Sequence, residues 1–236
     1  MDVKLLTYTP EPEKVVAAAA RICYSNKCGA DLMDNFSQQE VENFIARLVN
    51  YGHMSPFEHA SFTFAVDGVS RALSHQLVRH RIGVSFSQKS QRYVKEKQFE
   101  YVTPDTITKK KELAIQFANL MAVIQEKYND LVAAGIPAED ARYLLPNATV
   151  TNLVVTMNAR SLLHFFELRC CVRAQKEIRQ MANLMLCEVR KVAPGLFSNA
   201  GPTCVSSGIC FEGDMSCKKP NVIVRHRQDQ QIKEQE

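Results

Sequence analysis

Arg79-His80-Arg81-Ile82-Gly83-Val84-Ser85-Phe86-Ser87-Gln88-Lys89-Ser90-Gln91-Arg92-Tyr93 is the stretch on which the reading of this chain turns. It places three guanidiniums, one imidazole and three serine hydroxyls within fifteen residues. A guanidinium is a rigid fork of donors matched to phosphate or carboxylate oxygens, and serines add short neutral donors beside it. A solvated basic loop is usually rich in lysine and lacks this interleaving of serine, glycine and aromatic residues. The stretch therefore reads as an anion site. Phe86 and Tyr93 are placed to flank a planar ring, and Gly83 permits a sharp turn beneath the site.

Upstream, the residues Ser70 to Val78 read as a helix that runs into Arg79, which puts Gln76 and Arg79 on one face. Before it, Phe62, Phe64 and Val66 alternate with Ser61, Thr63 and Ala65, a half-buried strand ending at Asp67-Gly68. Ser37-Gln38-Gln39-Glu40 has capping-box spacing, and Val41, Phe44, Ile45, Leu48 and Val49 continue it as one apolar stripe, so a helix over 35–51 delivers the chain to His53. Val3 to Thr9 reads as a strand stopped by Pro10, and Glu13 to Cys23 as an alanine-rich helix.

Downstream, Ser85 to Tyr101 reads as irregular or extended. Lys110 to Ala134 is a long helix with Leu113, Phe117, Leu120, Met121, Ile124, Tyr128 and Leu131 on one side, a core or subunit interface. Pro137 opens a short helix carrying Arg142. Thr149 to Met157 is β-branched and reads as a strand, followed by helix from Ala159 to about Val192 with a break near Cys171. Short strands mixed with helices, with no strand-helix-strand rhythm and no Gly-any-Gly-any-any-Gly fingerprint, indicate an α+β class and argue against a Rossmann-type site. Residues 1–200 form one domain in this reading, and 201–236 a cysteine-containing, loop-rich tail with a mobile end. Arg225-His226-Arg227 in that tail repeats the tripeptide without serines or aromatics and reads as solvated. Arg-His-Arg alone is a weak signal.

The chain has 236 residues, 46% of them hydrophobic and 23% charged, with a net charge of +4. Such a charge is too modest for a nucleic-acid coat but suits small polyanions such as nucleotides and folates. No apolar run has the length of a signal peptide or a membrane span, and eight cysteines in a chain of this size, two of them adjacent at Cys170-Cys171, fit reduced thiols. A cytoplasmic protein is expected, without membrane contact.

The central stretch resembles the signature of the flavin-dependent thymidylate synthases: Arg-His-Arg, a short spacer, Ser-any-Arg and Tyr. His53-Met54-Ser55-Pro56-Phe57-Glu58-His59 is similar to the family's upstream element, and Asn158-Ala159-Arg160-Ser161-Leu162, Leu168-Arg169 and Ala174-Gln175 to its downstream helical block. The spacer Ile82–Lys89 is one residue longer than the family's usual one. The resemblance implies a mixed or antiparallel sheet flanked by long helices, a homotetramer with active sites between subunits, and conversion of dUMP to dTMP. The implied carbon donor is 5,10-methylenetetrahydrofolate, and FAD reduced by NADPH is the implied hydride donor.

It further implies that Arg169 holds the pyrimidine edge and activates the ring, while Arg79, Ser90, Gln91 and Arg92 hold the phosphate and sugar. Gln76 and Arg142 complete the dUMP set, and Gln88 and Lys89 line the same loop. The implied FAD contacts are His53, Ser55, Glu58, Arg79, His80, Arg81, Ser87, Gln88, Asn158, Arg160 and His164. Read without the resemblance, His164 beside Leu163, Phe165 and Phe166 is more often a hydrogen-bonded core histidine, His53 could simply cap the preceding helix, and Arg169 reads rather as a helix-surface residue paired with Glu167 or Glu177.

Three other chemistries fit the sequence less well. Cys170 and Cys171 follow Arg169 but lack the surroundings of a nucleophilic cysteine. Cys204, Cys210 and Cys217 lack the paired spacing and the fourth ligand of a zinc site, so no metal is expected. A single-stranded nucleic-acid or nucleotide-binding module built on the Arg79–Tyr93 loop is the alternative function; a groove of that kind more often carries a continuous basic stripe.

Overall fold

The computed structural model describes residues 1–226; Arg227 and the tail end expected to be mobile lie outside the described residues. In chain order the elements are β1 (Asp2–Tyr8), α1 (Pro12–Arg21), α2 (Gly29–Asn35), α3 (Gln38–Asn50), β2 (Ser61–Ser70), α4 (Arg71–Leu77), β3 (Val84–Gln88), α5 (Asp105–Thr108) and α6 (Lys111–Ala133). They continue as α7 (Ala138–Ala141), β4 (Val150–Asn158), α8 (Ala159–Arg169), α9 (Lys176–Val192), α10 (Pro194–Phe197), α11 (Thr203–Ser206), β5 (Ile209–Cys210) and β6 (Ile223–Val224).

The principal sheet has the order β1-β2-β4-β3. Its register follows from the ladder ends. Ala159 N–H donates to Ala60 O and Arg71 N–H to Thr149 O, while Asn158 N–H donates to Gly83 O and Lys89 N–H to Asn152 O. In each pairing one index rises as the other falls, so β4 runs antiparallel to both neighbours. This is the expected α+β class, and no parallel crossover of the Rossmann kind occurs among these strands.

The chain folds as two compact units assembled from separate segments: Met1–Asp2, Ala65–Arg79 and Phe86–Val154 in one, and Val3–Phe64, His80–Ser85 and the chain from Val155 onward in the other. In the first, which contains α6, Val66, Val69, Leu73, Leu77, Met121, Tyr128 and Leu153 are buried. Ser70 Oγ caps α4 by accepting from Leu73 N–H at 3.1 Å. The long α6 holds the segment 96–99: Tyr128 Oη accepts from Glu96 N–H at 3.2 Å, and Gln125 accepts from Phe99 N–H at 2.6 Å while donating to Glu96 O at 3.0 Å. Of its expected apolar stripe only Met121 and Tyr128 are buried, and Leu113 and Leu120 remain exposed. Periodicity gave the helix correctly and left open what covers it.

In the second unit, which contains α8, Phe57, Phe62, Phe64, Phe165, Phe166 and Phe197 are fully buried. Phe197 meets Phe62 edge-on at 5.3 Å and Phe166 at 6.1 Å, and burying a side chain of this size stabilises by about 1.5–3 kcal/mol. The capping box forms as expected: Ser37 Oγ accepts from Glu40 N–H and Glu40 Oε2 from Ser37 N–H. The expected break after α8 spans Cys170 to Gln175, where Gln175 Oε1 accepts from the Glu177 and Ile178 amides to start α9. Helix α2 lies where no helix was expected. The tail is more ordered than its composition suggests, since β5 and β6 pair in parallel and Arg225 N–H donates to Cys210 O at 2.8 Å. Among the described residues no helix is long and apolar enough to cross a membrane.

Candidate active site

In the α6 unit, helix α4 ends so that Gln76 and Arg79 follow on the same turn, Arg79 N–H donating to Gln76 O at 3.4 Å. Among the described residues the exposed Arg79 guanidinium has no ion-pair partner. The other expected dUMP residues are held by protein groups. Gln88 Nε2 donates to Ser74 Oγ and Thr151 Oγ1, both at 3.1 Å. Lys89 Nζ pairs with the nearly buried Glu96 carboxylate at 2.8 Å. Arg92 Nε donates to Glu139 Oε2 at 2.9 Å, and Arg142 Nε to Glu139 O at 3.1 Å, so one glutamate orients both arginines. Ser90 Oγ accepts from Arg92 N–H at 3.2 Å, which shapes the turn carrying Gln91.

Two residues that sequence reasoning missed support this loop. Arg71 Nη2 donates to Lys89 O at 2.9 Å, and burial, then the neighbouring Arg142 charge, hold its pKa below the usual range. The Glu139 carboxylate carries no local signal, because it meets Arg92, 47 positions away, only on folding. Three buried polar atoms here, Arg71 Nε, Gln91 Nε2 and Thr149 Oγ1, have no hydrogen-bond partner among the described residues. Such atoms are costly unless a ligand or solvent meets them.

In the α8 unit, the His80–Gly83 segment is pinned to the start of α8. Asn158 Oδ1 caps that helix by accepting from Ser161 N–H at 2.8 Å, and Ser161 Oγ donates to Ile82 O at 2.6 Å. Gly83 has φ +65°, and a Cβ there would stand 2.3 Å from Asn158 Nδ2 and 2.5 Å from Ser161 Oγ, so the turn requires glycine. The ring of His80 lies edge-on to Phe165 at 5.0 Å, and its Nε2 accepts from Arg169 Nε at 3.0 Å. Burial first, then the Arg169 charge and His164, push the His80 pKa down to about 4. His80 is therefore neutral at physiological pH, with its proton on Nδ1.

The remaining expected cofactor residues of this unit lie at its surface. Glu58 pairs with Arg160 at 2.6 Å, and Ser55 is exposed at the start of the turn Ser55–His59. Arg81 is exposed and has no ion-pair partner among the described residues. His164 is exposed, 3.6 Å from Glu167, and is not a core histidine. His53 is half-buried just past α3, its amide donating to Leu48 O at 2.9 Å. Ser87, in the other unit, is exposed on β3. Cys170 is buried, which pushes its thiol up to about 12. A cavity of about 860 Å³ opens between the end of α8 and the tail segment 202–219, with His164 and Arg169 in its wall.

The antiparallel principal sheet, with arginines carried on loops and helix ends, is an α+β scaffold of non-Rossmann type. Residues 4–195 match the family described as thymidylate synthase complementing protein. The flavin-dependent thymidylate synthase of Clostridium tetani is 50% identical over 235 residues, covering 93% of this chain and 94% of that protein. That of Geobacter sulfurreducens is 48% identical over 227 residues, covering 95% and 97%. A crystal structure of the UMP/dUMP methylase PolB from Streptomyces cacaoi, bound with 5-Br dUMP, aligns with TM-score 0.69 at 27% identity, covering 84% of this chain and 93% of that one. The chain belongs to the thymidylate synthase complementing family, that of the flavin-dependent thymidylate synthases.

Proposed function

We propose that this protein is a flavin-dependent thymidylate synthase that methylates dUMP at C5, with 5,10-methylenetetrahydrofolate as carbon donor and NADPH as reductant. The observation that carries the reading is the Arg169–His80 hydrogen bond in a chain of this family. C5 of uracil attacks a methylene group only if negative charge is driven onto the ring, and that charge needs a stabiliser. Arg169 supplies a permanent cation, its Nε committed to His80 and its terminal Nη donors offered to the pyrimidine edge. A neutral His80 accepts that bond without adding a second positive charge. Cys170, with its thiol pushed up to about 12, stays protonated and is no nucleophile.

We assign the dUMP phosphate and sugar to Arg79, Ser90, Gln91 and Arg92, with Gln76, Gln88, Lys89 and Arg142 beside them. The unpartnered buried Gln91 Nε2 supports this assignment, because a ligand oxygen would satisfy it. The donor set of the α8 unit suits a dinucleotide pyrophosphate: Arg81 and Arg160 are cations at the surface, Ser55 adds a hydroxyl, and His53, His164 and Asn158 provide ring and amide contacts. Arg79, Ser87 and Gln88 complete the assigned FAD contacts, with Glu58 orienting Arg160. Bound there, FAD supplies the hydride that completes the methyl group. The exposed Leu113, Ile115, Leu120 and Val123 of α6 support assembly as a homotetramer, and eight free cysteines suit the reducing cytoplasm.

Tritium release from C5-labelled dUMP tests the assignment. Release that requires FAD, NADPH and methylenetetrahydrofolate together, and that collapses in Arg169→Ala, is expected. No release from folded, FAD-loaded protein would sink it.

A further inference from the structure

The cavity beside Arg169 is lined by five thiols, those of Cys170, Cys171, Cys204, Cys210 and Cys217, and all are free. Among the described residues no three histidines, cysteines or carboxylates converge as metal ligands, so the cluster is not arranged as a zinc site. The thiols differ in what they can do. Cys170 is buried with its thiol pushed up to about 12, and Cys210 is buried in β5. Cys217 is exposed, in an irregular stretch where Lys218 takes a left-handed φ of 52°. Cys204 sits half-buried on α11, a helix of four residues. Helix α11 has no buried residue and Cys217 lies outside regular structure, so the backbone adjustment that disulfide geometry demands falls on segments with little core packing.

We propose that Cys217 and Cys204 form a peroxide-responsive dithiol pair that closes to an intrachain disulfide at this cavity. The Cys217 thiolate, the accessible one, attacks hydrogen peroxide; the O–O bond breaks, hydroxide leaves, and the sulfur becomes a sulfenic acid. The Cys204 thiolate then attacks that sulfur, the S–S bond forms, and the sulfenic oxygen leaves as water after taking up a proton. Two thiols lose two electrons and two protons, and one peroxide becomes two waters. A dithiol reductant reverses the change by exchange. Burial raises the Cys204 thiol pKa, Lys219 opposes that rise, and among the other thiols Cys217 acts on it most strongly. The second step therefore speeds up as pH rises. The bond closes a loop over residues 204–217 in the wall that also holds Arg169 and His164.

Intact-mass and peptide analysis of the reduced full chain after stoichiometric peroxide and thiol alkylation tests this independently of the proposed activity. The expected result is a loss of about 2 Da, two fewer alkylated thiols and a cross-linked peptide joining Cys204 to Cys217. In Cys204→Ser the Cys217 sulfenic acid should persist and be trapped by dimedone, whereas Cys217→Ser should give no cross-link; circular dichroism checks that both variants fold. A cross-link between other cysteines, no cross-link in the native chain, or a bound zinc ion that masks these thiols would overturn it.

Discussion

His80 Nε2 accepts a hydrogen bond from Arg169 Nε at 3.0 Å, across 89 positions of sequence. Both residues were expected at the site, His80 against flavin and Arg169 against the pyrimidine, but their mutual contact was not. In the proposed reaction it would make His80 a positioning residue: a neutral acceptor that fixes the guanidinium by one edge. Removing a hydrogen bond to a charged group costs about 1.5–3 kcal/mol, so His80→Ala should lower kcat about 10-fold or more. His80→Gln, which keeps an acceptor, should recover part of it. Steady-state tritium release separates the effects, and a change confined to KM would contradict a role through Arg169.

The same residue sets a pH dependence. Its folded-state pKa is about 4 against an ordinary 6.5, because burial and the Arg169 charge disfavour the imidazolium. Between those values the unfolded chain binds a proton that the folded chain refuses, so stability falls as pH drops through that window and is unaffected above it. Thermal unfolding from pH 7.5 to 4 should show this loss, and His80→Gln should flatten it.

Gly83→Ala should destabilise the protein by about 1–3 kcal/mol, since a Cβ is disfavoured at positive φ. At Gly83 it would also strike the Asn158 and Ser161 side chains that cap α8 and hold Ile82. Denaturant unfolding measures the loss; an unchanged midpoint would mean the turn relaxes freely.

Lys89→Ala leaves the Glu96 carboxylate without its ion partner at 9% exposure, a situation that costs about 1–3 kcal/mol. Adding Glu96→Gln to that variant should restore part of the stability. A double-mutant cycle showing no coupling would assign Lys89 to ligand rather than to the loop.

Glu58 and Arg160 pair with both side chains about half exposed, so Glu58→Gln should change stability by less than about 1 kcal/mol. Its expected effect is on flavin: the dissociation constant should rise several-fold as Arg160 loses its orientation. Fluorescence titration of the apoprotein with FAD reads this directly.

The sequence by itself determined what is local. The Ser37–Glu40 capping box, the periodicity of α6, the alternation in β2 and the Gly83 turn are each written within a few neighbouring residues, because helix caps and turns close over two to four positions. The signature around Arg79 to Tyr93 likewise pointed to a family, one that the family model and the curated relatives bear out. Even there, β2 ran on past Gly68 to Ser70 and α2 went unnoticed, as sheet pairing and packing outvote weak local preference. Only the tertiary structure decided which cations already have partners: Lys89 on Glu96, Arg92 on Glu139, Arg169 on a neutral His80. The Arg92–Glu139 and Arg169–His80 pairings join residues 47 and 89 positions apart, and they exist because folding brings the partners within hydrogen-bond range, where burial then sets the protonation of His80.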